Sequence, residues 1–273
     1  MWALGKLLSD LSYVLLPPIC GVCGERLEPD DEAVCGACRN QFQEMGRSVC
    51  PFCGSATRSP SARPSAPRRC EHCPRPVAHF QSARAAYRYD TRMAEAVQAF
   101  KYNQRYELGR ALARAMFMAF VRLAEGDGEG EERDRHQSLS LLPVSDFQPD
   151  PTALRRRLDF IVPVPMHFTR RWKRGYNHAE VLAQEFATLA HLSCRPELLT
   201  RVRRTPRQAL LPPDQRATNV LGAFAAEHPD AVAGRRIGLF DDVLTSGSTV
   251  NECARTLKLA GAAEVHVLTL SRA

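Results

Sequence analysis

Residues 235–270 read RRIGLFDDVLTSGSTVNECARTLKLAGAAEVHVLTL, with DDVLTSGST (241–249) at the centre. RRIGLFDDV has the apolar run of a buried strand, and EVHVLTL (264–270) has another. Between them, Ser248 to Ala260 reads as a helix with Val250, Ala254 and Leu257 on one face, and Gly261 is placed to cap it. A buried strand ordinarily ends in turn residues. Here two adjacent carboxylates, Asp241 and Asp242, follow the apolar run and precede a Ser/Thr/Gly loop.

Working outward, RAAYRY (84–89) reads as a short strand, followed by a helix with Met93, Val97 and Phe100 aligned and a second helix running to about Val121. DFIVPVP (159–165) is a β-branched apolar run that leads into the basic loop MHFTRRWKRGYNH. A helix with Ala179, Leu182, Phe186 and Leu189 on one face comes next. Residues 200–222 lack clean periodicity and are read as a long mobile loop. The acidic, proline-dotted stretch 124–157 is read as a disordered surface insertion. Strands alternating with helices predict an α/β fold, a parallel doubly wound sheet.

In such a sheet, ligands bind beyond the C-terminal strand ends, where a helix N-terminus presents free N–H groups. Small residues let the backbone of Thr245, Ser246, Gly247, Ser248 and Thr249 approach a phosphate closely, and the hydroxyls add donors. Asp241 and Asp242 would repel that phosphate, so they are assigned to another part of the ligand. Vicinal ribose hydroxyls, which donate to carboxylates, meet the need. A 5'-phosphorylated ribose satisfies both halves. The chain has no GxxxxGK[ST] and no GxGxxG after a strand, and a phosphatase-type DxD would need an acid at Val243.

Eight of the ten cysteines fall within the first 73 residues as CGVC, CGAC, CPFC and CEHC. Each CxxC turn points two thiolates at one place, and two such knuckles make a tetrahedral zinc site. Spacers of 11 residues after Cys23 and 16 after Cys53 fit short β-hairpins. Sequential pairing then gives two zinc ribbons, Cys20, Cys23, Cys35 and Cys38, and Cys50, Cys53, Cys70 and Cys73. A cross-braced pairing, first pair with third, stays open. His72 is read as a bystander, and Cys194 and Cys253 as buried small hydrophobes. The module is expected over residues 1–80, with its own N-terminal helix, and the α/β domain over 81–273.

The 44% hydrophobic content suits a globular chain. Leu4, Leu7, Leu8, Leu11 and Leu15 share one helical face, but no run of 18 apolar residues exists and no small-residue cleavage site follows. A cytoplasmic protein without a membrane span is therefore expected. The net charge of +7 gathers at Arg155–Arg157, Arg170–Arg174, Arg201–Arg207 and Arg235–Arg236. Basic clusters interleaved with Phe168, Trp172 and Tyr176 suggest single-stranded DNA as an anionic partner.

The stretch IGLFDDVLTSGST resembles the phosphoribosyl pyrophosphate (PRPP) loop of type I phosphoribosyltransferases. FIVPVPMHFTRRWKRGYNHAEVLA and RVRRTPRQALLPPDQRATNVLGAF, with the double ribbon ahead of them, resemble the ComF family of competence-associated proteins. The family's usual Phe-Asn-Gln is Tyr176-Asn177-His178 here, and its TTGAT is TSGST. The resemblance implies a phosphoribosyltransferase-like sheet, PRPP bound with Mg²⁺, and a role in uptake or processing of transforming DNA beside a helicase-like partner. It also implies that Arg171, Lys173 and Arg174 neutralise pyrophosphate, with Lys101 reaching the same group, and that Arg201–Asn219 closes over the leaving group. The alternative is a phosphoribosyltransferase acting on a small base or amine. No residue is nominated as a catalytic base, so the sequence supports PRPP binding better than transfer.

Overall fold

The structure, a computed structural model, describes residues 18–46, 48–56, 69–74, 78–102, 105–125, 152–206 and 211–273. The expected N-terminal helix, the 16-residue spacer's centre and the acidic part of the expected insertion lie outside the described residues. Among the described residues seven strands are present: β1 (Ser82–Arg88), β2 (Phe160–Pro163), β3 (Ser193–Cys194), β4 (Leu199–Arg201), β5 (Phe224–Ala226), β6 (Arg236–Leu244) and β7 (Glu264–Arg272). The principal helices are α1 (Thr91–Tyr102), α2 (Tyr106–Glu125), α3 (Phe168–Arg174), α4 (His178–Leu189), α5 (Pro213–Val220) and α6 (Ser248–Leu259).

Five strands form one parallel sheet in the order β1-β7-β6-β2-β3. Its central strands carry apolar runs, Phe160–Pro163 in β2 and Ile237–Phe240 in β6, because helices cover both faces. On one face Phe240 meets Phe100 of α1, Leu112 and Met116 of α2, and Leu182 and Phe186 of α4. On the other, Ile237 and Leu239 meet Val250, Ala254 and Leu257 of α6. This is the doubly wound α/β architecture expected, with the ribbon module ahead of it. Edge strand β3 gave no sequence signal, since two residues are too few for a pattern.

Residues 200–222 depart from expectation. Leu199–Arg201 and Phe224–Ala226 pair antiparallel, and Pro213 opens α5, so the described parts of the segment form a small folded hood over α6; residues 207–210 lie outside the described residues. Periodicity missed it because strands of three residues carry no readable alternation. Its anchor is tertiary: Leu198, Leu199, Val220 and Phe224 join the α6 core, and Gly222 N donates to Glu252 Oε1 at 2.7 Å. The expected insertion is also narrower at its end, because Thr152–Arg155 forms a helical turn.

The first ribbon shares the α2 core, with Leu27, Val34 and Phe42 joining Leu108 and Leu112. The chain after it adds to the sheet edge: Met45 N donates to Ala86 O and Arg88 N to Gln43 O, each at 2.8 Å. Across the first spacer the expected hairpin is absent, while the centre of the second lies outside the described residues; short antiparallel bridges, Ile19 with Arg26 and Val49 with Ala56, flank the first knuckle of each quartet.

Candidate functional site

Consecutive strand residues face opposite sides of a sheet, and Asp241 and Asp242 do so at the C-terminal end of β6. Asp242 faces the α1/α4 side, where Lys101 Nζ lies 2.7 Å from its Oδ2. Burial opposes charge on Asp242, but the Lys101 ammonium outweighs it and holds the carboxyl below the usual aspartate range. Asp241 faces the hood side, near Arg201 and Cys253. Among the described residues it has no ion-pair partner, and its Oδ1 accepts only from Asp242 N, at 2.9 Å. Burial and the neighbouring Asp242 push its carboxyl up to about 7.

Leu244 leads into the loop, where Gly247 takes φ 76° and ψ 0° as the N-cap of α6. That left-handed turn favours glycine, and it lets α6 start with its N–H groups facing the strand end. Ser246 and Ser248 bring their hydroxyls within 3.0 Å of each other beside it. Thr245 and Ser246 are exposed, and Ser248 and Thr249 are half-buried.

Three consecutive side chains after α3 bind carbonyls of the end of α1 and of the chain after β2. Tyr176 Oη donates to Phe100 O at 2.7 Å, Asn177 Nδ2 to Val164 O at 3.0 Å, and His178 Nε2 lies 3.2 Å from Lys101 O. Burial, then Arg174 and Lys101, lower the His178 ring to about 4, so it is neutral and donates to that carbonyl. Sequence reasoning missed this group; its signal was the Tyr-Asn-His triplet. Tyr176 is 6% exposed and packs on Tyr106, so it offers no surface for stacking bases.

The arginines divide. Arg170 Nη2 donates to Thr205 O at 2.7 Å, Arg201 to the Thr205 hydroxyl, and Arg203 to the carbonyls of Asn219 and Leu221 at 3.1 and 2.6 Å. These tie the hood together. Arg171 lies 3.5 Å from Glu180, and the Arg174 guanidinium sits 5.3 Å over the Tyr102 ring. Neither meets the 245–249 loop in these pairings. The side chain of Lys173 and the whole of Arg207 lie outside the described residues. Beside α3, a cleft of about 820 Å³ is lined by Phe168, Arg170, Arg171, Trp172 and Arg204. Trp172 is 86% and Phe168 72% exposed.

Both cysteine quartets assemble in sequential order, Cys20, Cys23, Cys35 and Cys38, then Cys50, Cys53, Cys70 and Cys73, the sulfurs of each within 4.8 Å of one another. Cross-bracing is thereby excluded. A tetrahedral ion with metal–sulfur bonds of about 2.3 Å separates its sulfurs by about 3.8 Å. The separations are 3.7 Å for Cys23–Cys35, 3.7 Å for Cys50–Cys73 and 3.4 Å for Cys53–Cys70, too long for disulfides and right for zinc. Burial would raise Cys20 and Cys50, but backbone N–H donors outweigh it and bring them to about 7 and 6. His72 is exposed and faces Glu71 outside the quartet. Cys253 is buried as expected; Cys194 is only partly so.

A double zinc ribbon domain family model matches residues 11–74. The chain is 31% identical to Competence protein F of Haemophilus influenzae over 179 residues, 65% of this chain and 66% of that protein. It is 31% identical to the DNA utilization protein YhgH of Salmonella typhi over 222 residues, 81% of this chain and 83% of that protein. With YhgH of Escherichia coli K12, identity is 41% over 114 residues, 42% of this chain and 49% of that protein. Among the described residues no helix is long and apolar enough to cross a membrane.

Proposed function

The chain belongs to the ComF family of competence-associated proteins, and from that premise we propose that it binds PRPP at Asp241–Thr249 and handles single-stranded DNA during DNA uptake. The observation that carries the first half is Asp241, a carboxylate without an ion-pair partner among the described residues, beside the turn at Gly247 that opens α6. Asp241 would accept from ribose hydroxyls, and the α6 N–H groups with Ser246, Ser248 and Thr249 would hold the 5'-phosphate. Lys101 neutralises Asp242, which lowers the local negative charge a pyrophosphate must meet. Mg²⁺, when bound, would screen the pyrophosphate against the ribose end. Among the described residues none is assigned as a base for an acceptor, and the proposal is limited to binding. The family resemblance adds a helicase-like partner.

Calorimetric titration with PRPP and Mg²⁺ tests this. Asp241→Asn should weaken binding about tenfold or more, since a charged hydrogen bond contributes roughly 1.5–3 kcal/mol. With Asp241 raised to about 7, binding the carboxylate form releases a proton below that pH. Affinity should therefore climb from pH 6 to 8 in the wild type, and climb less in Asp241→Asn, where only the ligand's own phosphates titrate. Equal affinity in both proteins would rule the site out. Pyrophosphate release with a small base or amine would instead favour a metabolic transferase.

The DNA half rests on exposed Trp172 and Phe168 beside Arg171 and Arg204. Arg170, Arg201 and Arg203 bind hood carbonyls or hydroxyls, so about three phosphate contacts remain and the log–log salt slope should be near −2. Trp172→Ala should cost roughly 1–3 kcal/mol of stacking. Fluorescence anisotropy over a salt series would read both effects, and a flat response would end the nucleic-acid reading.

A further inference from the structure

The second cysteine quartet is fastened to the elements that frame the 245–249 loop, by two routes. Through its first knuckle, Phe52 O accepts from Ala83 N at 2.7 Å, Cys50 O from Arg84 Nη1 at 3.1 Å, and Cys53 O from Arg272 Nη1 at 2.8 Å. Arg272 Nη2 also reaches Ser55 Oγ at 2.6 Å, and Arg272 stands in register with Leu244, the residue before the loop. Gly54 makes the approach feasible: at φ 70° it lies where a Cβ would fall 2.5 Å from Ala83 O. Through the second knuckle, Cys73 is followed by Pro74, whose Cγ lies 3.4 Å from where a Gly247 Cβ would be. Farther along, His79 N donates to Asn251 Oδ1 at 2.7 Å, and Asn251 N donates to Gly247 O at 2.8 Å. The first quartet packs instead on α2, at Leu108.

We propose that the second metal site positions the loop. Holding Cys50, Cys53, Cys70 and Cys73 on one ion fixes both knuckles, and so holds Pro74 against Gly247 and His79 against Asn251. Without the ion the two knuckles keep, among the described residues, the Arg69 guanidinium 5.5 Å over the Phe52 ring, and they lose the metal-binding free energy that in such modules is folding free energy. The first turn of α6 then loses its neighbours on that side. Pro74, Asn251 and Arg272 are positioning residues for the loop.

The test uses the full chain and two variants. Cys70→Ser/Cys73→Ser removes the second site; Arg272→Ala keeps all eight thiolates and cuts one tie. Metal content, deuterium exchange over residues 245–251 and PRPP affinity are measured for each. Expected are one metal equivalent, faster exchange and an affinity loss of about fivefold or more in the double variant. Arg272→Ala should keep two equivalents and exchange faster than wild type. Unchanged exchange in the double variant overturns the proposal, and if that variant fails to fold, unchanged exchange in Arg272→Ala does. The PRPP arm alone rests on the ligand reading above. Loosened exchange in a chain that never binds PRPP would refute that reading and leave the coupling standing.

Discussion

Cys20→Ser is expected to release one of two zinc equivalents and to unfold the first ribbon together with part of the core beneath it. Cys20 is 1% exposed, and its sulfur accepts from Val22 N and Cys35 N at 3.4 and 3.3 Å. Apparent binding free energies for structural zinc run to about 10–16 kcal/mol, more than a small module gains from its apolar contacts. The loss would not stay local, because Leu27, Val34 and Phe42 belong to the same apolar cluster as Leu108, Leu112 and Phe186. Metal analysis and a thermal melt followed by circular dichroism read the two effects. Two equivalents with an unchanged melting temperature would refute the assignment.

Lys101→Met should destabilise the fold by roughly 3–5 kcal/mol, toward the lower end, because it strands Asp242 in a mostly buried place without its cation. The side chains of Lys101 and Asp242 are 22% and 14% exposed, which moderates the figure. Lys101→Met/Asp242→Leu should recover most of the loss, since replacing both partners leaves no buried charge. The pH dependence follows from the two shifts. Asp242 is held low, so its contribution is present above the ordinary aspartate range and disappears as acid protonates the folded carboxyl. Lys101 is held high, because Asp242 outweighs the burial that opposes its charge, so its contribution disappears only in strong alkali. Urea unfolding should therefore show the gap between wild type and Lys101→Met widest across neutral pH and narrow in acid. A constant gap down to full protonation would mean that lost packing, not charge, explains the variant.

Much of the site was legible before folding. The apolar run Ile237–Phe240, the two acids and Thr245–Thr249 are contiguous, so strand, loop and helix start could be read from local pattern. The four CxxC pairs were legible for the same reason. The hood was not, because β4 and β5 hold three residues each and are ordered by contacts with α6. Arginine roles were equally hidden. Arg170, Arg201 and Arg203 look alike in sequence to Arg171 and Arg204, and only the position of Thr205, Asn219 and Leu221 gives them partners within the hood.

By itself the sequence determined the parallel α/β class, the four CxxC knuckles and the place of the loop, because each rests on neighbours within a turn or a strand. Strand alternation sends Asp241 and Asp242 to opposite faces, but only the tertiary structure decided what meets them there and which knuckles share a site: Asp241 lies near Arg201, and Asp242 is bound to Lys101. It also decided that the second ribbon reaches Gly247. Those facts depend on which chain-distant elements the sheet brings to one end, and a carboxylate's charge state follows from what is packed beside it rather than from what precedes it in the chain.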